Sequence, residues 1–308
     1  VGTKDSKSPA DNSETRRGFL NFGDGSMAEE RAESQNEYFE LVQSLAADLN
    51  KKDIKLPSFP DVVVRVRTAL DDADTTSNDL ASILGVDAVL ASRVLILANS
   101  TYHNPAGIKI EGLDAAVGRI GFEKVKTAAI AYAVEQLHAS EGLEPLKNEL
   151  RATWSAGMRL AAMSEVIARH CTKLDGDSAF IAGLLHRIGV LYLFTKYHDY
   201  PGLIQDQETR NNLIDEWAGP IGESIVGNWN FSAEIQATLN PDEVETTRRR
   251  VEPNLADIVT TAKHSLNGGE EDWHGTDEAK RLGLTDEKLP KIMESYKEKL
   301  DSLASAVR

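Results

Sequence analysis

The fold is decided by one apolar segment in the second half of the chain, FIAGLLHRIG, residues Phe180–Gly189. Apolar residues continue beyond it, so that the pattern predicts a single helix from Ser178 to Tyr197 that is apolar on almost every face. A helix of that kind cannot lie at a protein surface and is typical of the centre of a domain. We therefore expect this segment to be the core around which the other elements pack.

Apolar residues recur at helical spacing on both sides of this segment, and no run alternates with period two for long enough to require a strand. The sequence predicts an all-α protein with two packed helical subdomains. Residues 1–28 lack apolar periodicity and are expected to form a flexible tail or linker. Residues 29–140 are expected to form the N-terminal subdomain, and residues 141–308 the larger one with a C-terminal helical extension.

The composition excludes several classes of function. The 308 residues carry a formal net charge of −15, which disfavours general binding to nucleic acids and to anionic membranes. Cys171 is the only cysteine, so no intrachain disulfide and no cysteine-rich metal site can form. The apolar run Phe180–Phe194 is too short and too polar to span a bilayer, and no secretory signal opens the chain. We expect a cytoplasmic protein.

Five segments together resemble the HDOD family, the HD-related output domain of bacterial signalling proteins. The family's L-P-x-x-P opening corresponds to residues 56–60, with Pro57 and Pro60. Its L-x-x-L-A-N-S helix end corresponds to residues 93–100, with Asn99 and Ser100. The other segments are Ile110–Gly121, Phe180–Gly189 with Gly183 and Gly189, and the weaker Gly222–Trp229. The resemblance covers roughly residues 50–270.

This resemblance implies a small N-terminal helical bundle packed on a larger one related to HD phosphohydrolases. It also implies a role in bacterial regulatory networks, often beside cyclic-dinucleotide enzymes, through contacts with a regulatory protein partner. The partner and the oligomeric state are not given by the sequence.

The resemblance also identifies the positions where HD phosphohydrolases hold divalent metal ions, namely a first His, an adjacent His-Asp pair and a late Asp. Here the segment Trp154-Ser155-Ala156-Gly157 offers no imidazole, and the pair reads His186-Arg187. The late Asp is retained as Asp257. A guanidinium stays protonated and repels a cation by about 4 kcal/mol for each pair of unit charges ~4 Å apart. We therefore predict no bound metal, no cofactor and no metal-dependent catalysis.

The charge of Arg187 within an apolar helix needs a partner. We expect it to pair with Asp257, the guanidinium taking the place of the metal. The alternative is an Arg187 that points outward, with Asp257 solvated. His186 is either a former metal ligand or a core histidine that is hydrogen-bonded to a carbonyl group.

Three functions remain open on the sequence alone. The first is a non-catalytic signalling module that acts through protein contacts. The second is a metal-free sensor in which His186 and Arg187 bind an anion or nucleotide. The third is a residual phosphohydrolase, which needs further ligands, and Asp175, Asp177 and Glu216 are the nearby candidates.

Overall fold

The structure is a computed structural model of the chain. It describes residues 24–51, 54, 61–138, 144–197, 199–200, 203, 207–240, 252–267 and 273–307, with side chains from residue 36 onward. Pro57 and Pro60 lie outside the described residues, as do most of the residues predicted to form the flexible tail.

All regular structure in the described residues is helical, which confirms the predicted fold class. The helices are α1 (Asp24–Lys51), α2 (Asp61–Leu70), α3 (Ser77–Leu84), α4 (Ala88–Asn99), α5 (Leu113–Ile120), α6 (Phe122–His138), α7 (Lys147–Cys171), α8 (Gly176–Leu185), α9 (Ile188–Tyr197), α10 (Gln207–Asn228), α11 (Ala233–Gln236), α12 (Leu255–Asn267), α13 (Asp277–Arg281) and α14 (Leu289–Val307). Single 3₁₀ turns cover Glu144–Leu146 and Trp273–Gly275.

The central apolar segment forms two helices rather than the single one that was predicted. Helix α8 ends at Leu185 and α9 begins at Ile188, with His186 and Arg187 in the turn between them. The whole stretch Gly176–Tyr197 is long and apolar enough to cross a membrane by composition, but 78% of its most apolar window is buried inside the fold. Apolar periodicity could not locate the break because residues on both sides of it are buried. The break places two polar side chains at the end of the core.

Two glycines allow neighbouring helices to pack unusually close to this core. A Cβ atom on Gly183 of α8 would lie 2.8 Å from the Cα of Ala161 on α7. A Cβ atom on Gly189 of α9 would lie 1.9 Å from the carbonyl oxygen of Ala218 on α10. Real side chains cannot approach backbone atoms so closely, so both helix crossings require glycine.

Helix α1 begins at Asp24, so the boundary predicted at residues 28 and 29 falls inside it. Its first turns are polar, which is why periodicity placed the start later. The helix also packs on the larger subdomain, because Asp48 accepts a hydrogen bond from the Tyr192 hydroxyl at 2.6 Å and pairs with Lys196 at 2.8 Å. An element predicted for the N-terminal subdomain thus contacts α9 of the larger one.

A second contact between the subdomains is made by Arg67 of α2. Its Nη1 donates to the carbonyl oxygen of Trp229 at 2.8 Å, just beyond α10, and its guanidinium lies 4.8 Å from the centroid of the Phe231 ring. Together with the α1 contacts, this interaction joins the two helical subdomains.

A cluster of buried charges holds the C-terminal helix α14 in place. Glu165 of α7 is 1% exposed and pairs with Lys124 of α6 at 2.7 Å and with Lys299 of α14 at 2.6 Å. Arg169 lies 3.0 Å from the same carboxylate, and Lys124 also pairs with Asp177 of α8. Burial alone would raise the pKa of Glu165, but the neighbouring cations outweigh it and hold the pKa below its usual value. The cluster therefore links four helices at one buried point.

Candidate functional site

The turn between α8 and α9 presents the two polar residues of the central segment, His186 and Arg187. His186 is the C-terminal cap of α8, and its Nδ1 lies 3.2 Å from the carbonyl oxygen of Thr238. Since a carbonyl can only accept, this nitrogen carries the proton in the neutral ring, and Nε2 is left as the unprotonated nitrogen. This contact is the carbonyl-bonded arrangement, one of the two that were expected for His186.

Arg187 has no bonded partner in the part of the chain that the structure describes. Its guanidinium forms no salt bridge and no side-chain hydrogen bond there, and its Nε is shut off from solvent without an acceptor. The residue as a whole is half-buried. Burial lowers the pKa of Arg187, with no opposing contribution from a neighbouring anion. A half-buried cation without a counter-charge is costly, and proteins rarely retain one.

The predicted pair between Arg187 and Asp257 does not form. The Oδ1 of Asp257 accepts from Arg281 instead, from Nη2 at 2.7 Å and from Nε at 3.1 Å. Its Oδ2 accepts from the backbone N–H of Asn254 at 3.0 Å, which caps the start of α12. Asp257 is 2% exposed, while the Arg281 side chain reaches it from a partly exposed position. The prediction was wrong because Arg281 lies in α13, beyond the segment that resembles the family.

His138, the last residue of α6, packs beside Trp154 and adds an imidazole to this site. Its ring packs on Trp154 of α7 with the centroids 5.5 Å apart, and its Nδ1–H donates to the carbonyl of Val134 at 2.8 Å. Its Nε2 is buried and has no hydrogen-bond partner in the described structure. Trp154 also lines a mainly apolar cavity of about 70 Å³ beside Met158 and Phe180.

The electrostatics of the site are consistently positive. Burial lowers the pKa of His186 to about 4, and the charges of Lys263 and Arg187 contribute in the same direction. Burial also lowers the pKa of His138, and the charge of Arg187 again contributes. The carboxylate whose charge opposes this effect at His138 belongs to Glu135, which is itself paired with Arg93. The turn is thus a local positive region in a chain of net charge −15.

The further ligands required by a residual hydrolase are engaged elsewhere. Asp175 caps α8 by accepting from the N–H of Ser178 at 2.8 Å, and Asp177 pairs with Lys124 in the buried cluster. Glu216 is exposed on α10. Among the described residues, no group of three or more His, Cys, Asp or Glu side chains converges as a metal site would require. The residues present do not fit the divalent metal that the resemblance implies.

The remaining motif residues hold the fold rather than form the site. Asn99 donates from Nδ2 to the carbonyls of Leu95 and Ile110, and its Oδ1 accepts from the N–H of Ile110 at 2.8 Å. Ser100 donates to the carbonyl of Leu97 at 2.7 Å. These bonds fasten the loop after α4 onto the end of that helix.

Three features of the site were missed from the sequence. The inward position of His138 could have been suspected, because it follows the apolar residues Val134 and Leu137 at the end of a helix. The ion pair between Asp257 and Arg281 could not be predicted from the sequence, because the two residues lie in different helices. The Glu165 cluster had none either, because its cations lie on α6, α7 and α14.

The comparisons with known proteins agree with this architecture. The chain has a TM-score of 0.71 and 24% identity to a protein from Shewanella amazonensis SB2B described as a candidate metal-dependent phosphohydrolase, covering 87% of this chain and 99% of that one. For an HDOD domain protein of unknown function from Geobacter sulfurreducens the TM-score is 0.58 at 19% identity, with 85% and 99% covered. At these identities the likeness establishes the fold alone.

A third solved structure, a candidate signal transduction protein from Marinobacter aquaeolei VT8, has a TM-score of 0.56 at 16% identity, covering 91% of this chain and 66% of that one. No curated protein matches the chain. The family model of the HDOD domain matches residues 56–242, more than half of the chain. These residues include the motifs at 93–100 and 180–189, the second of which contains the turn described above. The chain therefore belongs to the HDOD domain family.

Proposed function

We propose that this protein is a non-catalytic regulatory module of bacterial signal transduction that acts in the cytoplasm through contacts with a protein partner. The observation that carries the proposal is the state of the former metal site. Arg187 stands where an HD phosphohydrolase has its Asp, and the retained Asp257 is bonded to Arg281 at 2.7 Å. A divalent cation would have to displace one guanidinium and tolerate the other, at a cost of several kcal/mol.

Membership of the HDOD family supports the regulatory role. The description of the Marinobacter aquaeolei relative as a candidate signal transduction protein is in keeping with it. The exposed apolar side chains support action through protein contacts. Of the seven large hydrophobic residues that are exposed in the described structure, six lie in residues 29–140, namely Phe39, Val64, Val86, Val89, Tyr102 and Ile108. Val86 and Val89 are close in sequence at the start of α4 and expose 66% and 51% of their surface.

The proposal is tested by two measurements on the purified chain and in its own cells. Hydrolysis of p-nitrophenyl phosphate and of cyclic dinucleotides is assayed with added Mn²⁺, and we expect no turnover above the protein-free rate. In-cell crosslinking followed by mass spectrometry is compared for the natural chain and a Val86→Glu/Val89→Glu variant, and we expect a specific partner that the variant loses. Turnover that Arg187→Met abolishes would overturn the non-catalytic assignment.

A further inference from the structure

The turn between α8 and α9 has donors and positive charge without a matching acceptor. None of the three guanidinium nitrogens of Arg187 bonds to the described protein, and of these only Nε is cut off from solvent. The other two nitrogens therefore remain open to a ligand from outside. A guanidinium offers five N–H donors in a planar fork that matches two oxygens of an oxyanion.

The groups around Arg187 add to this character. His186 is held by the contact of its Nδ1 with the Thr238 carbonyl, which leaves Nε2 without a bonded partner among the described residues. His138 holds a buried Nε2 without a partner, and its ring is supported by Trp154. Lys263 is exposed, and its positive charge helps to lower the pKa of His186. The nitrogen atoms without bonded partners and the positive charges thus lie at the same end of the core as Arg187.

A dianion suits this set better than a monoanion does. Two cations, Arg187 and Lys263, act on His186. A phosphoryl group carries about −1.5 to −2 charges at neutral pH and three acceptor oxygens, whereas a carboxylate carries one charge and two oxygens. Two candidate carboxylates for this turn, Asp257 and Asp177, are bonded instead to Arg281 and Lys124.

We propose that the turn Leu185–Ile188 is a binding site for the phosphoryl group of a small phosphorylated ligand, held by the Arg187 fork with His186 beside it. The ligand replaces the counter-charge that the described residues do not provide. This site is independent of the regulatory surface on the N-terminal subdomain, so either assignment can fail without the other.

The test is isothermal titration calorimetry of the full chain with inorganic phosphate at neutral pH and low ionic strength. We expect saturable binding by the natural chain and binding at least tenfold weaker in Arg187→Met. Arg187→Lys keeps the charge but loses the fork, and it should also bind more weakly. The matched control is Arg65→Met, which removes an exposed arginine on α2 and should bind as the natural chain does.

Circular dichroism shows whether each variant is folded, and Arg187→Lys replaces Arg187→Met if the latter is not. Absence of binding by the natural chain up to about 10 mM phosphate, a concentration that corresponds to only about −3 kcal/mol, would overturn the proposal. Equal binding by the natural chain and the folded Arg187 variant would do the same. Acetate is titrated in parallel, and an affinity equal to that of phosphate would overturn the assignment to a phosphoryl group.

Discussion

Lys299 on the last helix places its Nζ 2.6 Å from the Oε2 of Glu165 on α7, and both side chains are buried. The two residues are far apart in the chain, and Lys299 lies outside the part that matches the family model. Glu165 also holds Lys124 and Arg169. The carboxylate is therefore the common partner of three cations, and α14 contributes one of them.

We expect the loss of Glu165 to cost far more stability than the loss of Lys299. Glu165→Gln leaves the buried Lys124 and Lys299 and the exposed Arg169 with only Asp177 opposite them, which should reduce the free energy of unfolding by about 3–5 kcal/mol. Lys299→Met leaves Glu165 with two cations and should cost less than half as much. Urea unfolding measures both, with Lys297→Met as an exposed control on the same helix. A Lys299→Met cost equal to that of Glu165→Gln would contradict this account.

The stability of the protein should fall between pH 6.5 and about 4 because of His103. Burial lowers the pKa of this residue to about 4, with further lowering by Lys299 and Lys124. The folded state therefore keeps His103 neutral, while the unfolded chain takes up a proton below pH 6.5. Unfolding gains a proton as the pH falls, so the stabilisation present above pH 6.5 is lost through this window.

The expected effect of His103 is a loss of about 1–2 kcal/mol between pH 7.5 and pH 5, measured by urea unfolding at both values. His103→Gln should reduce the pH dependence by this amount. The matched control is His264→Gln, which makes the same substitution at an exposed position. Since the pKa of His186 is lowered in the same way, part of the pH dependence should persist in the His103 variant.

Glycine at position 189 should be indispensable to the packing of α9 on α10. Gly189→Ala would bring a methyl group to within 1.9 Å of the Ala218 carbonyl oxygen, so the helices must separate. We expect a loss of about 3 kcal/mol or more in the free energy of unfolding. The control is Gly118→Ala on α5, where an added Cβ meets nothing within 4 Å. That variant should gain about 0.5–1 kcal/mol, because alanine favours a helix over glycine. Similar effects at both positions would refute the close crossing.

A double-mutant cycle should couple Asp257 to Arg281 and not to Arg187. Asp257 is buried and is bound to Arg281 by two hydrogen bonds, so the cycle of Asp257→Asn with Arg281→Met should give about 1–3 kcal/mol. The cycle of Asp257→Asn with Arg187→Met should be additive within about 0.5 kcal/mol. A larger coupling in the second cycle than in the first would restore the pairing that the sequence suggested.

The sequence predicted the helices well because their apolar periodicity is a local property. The predicted all-α fold is observed throughout the described residues. The break at His186 was missed, because periodicity disappears where a segment is buried on all sides. The polar start of α1 concealed the first turns of that helix for a similar reason.

The partners of charged residues were much harder to predict. A pattern shows which face of a helix is buried, but it does not show which residue of another helix meets that face. Arg281 and Lys299 reach Asp257 and Glu165 from helices that carry no family motif. The site could therefore be located from the sequence at His186 and Arg187, while its ion pairs became clear only from the packing of α13 and α14.

We expect the residues of the former metal site, His186, Arg187 and Asp257, to bind no divalent cation. Elemental mass spectrometry of protein purified without chelator, repeated after incubation with Mn²⁺ and removal of the excess, measures this. We expect less than about a tenth of an equivalent of Mn, Fe, Ni, Co or Zn in both samples, because Arg187 and the Asp257–Arg281 pair disfavour a cation. Close to one equivalent of any of these metals, retained through gel filtration and lost in His186→Ala, would contradict it.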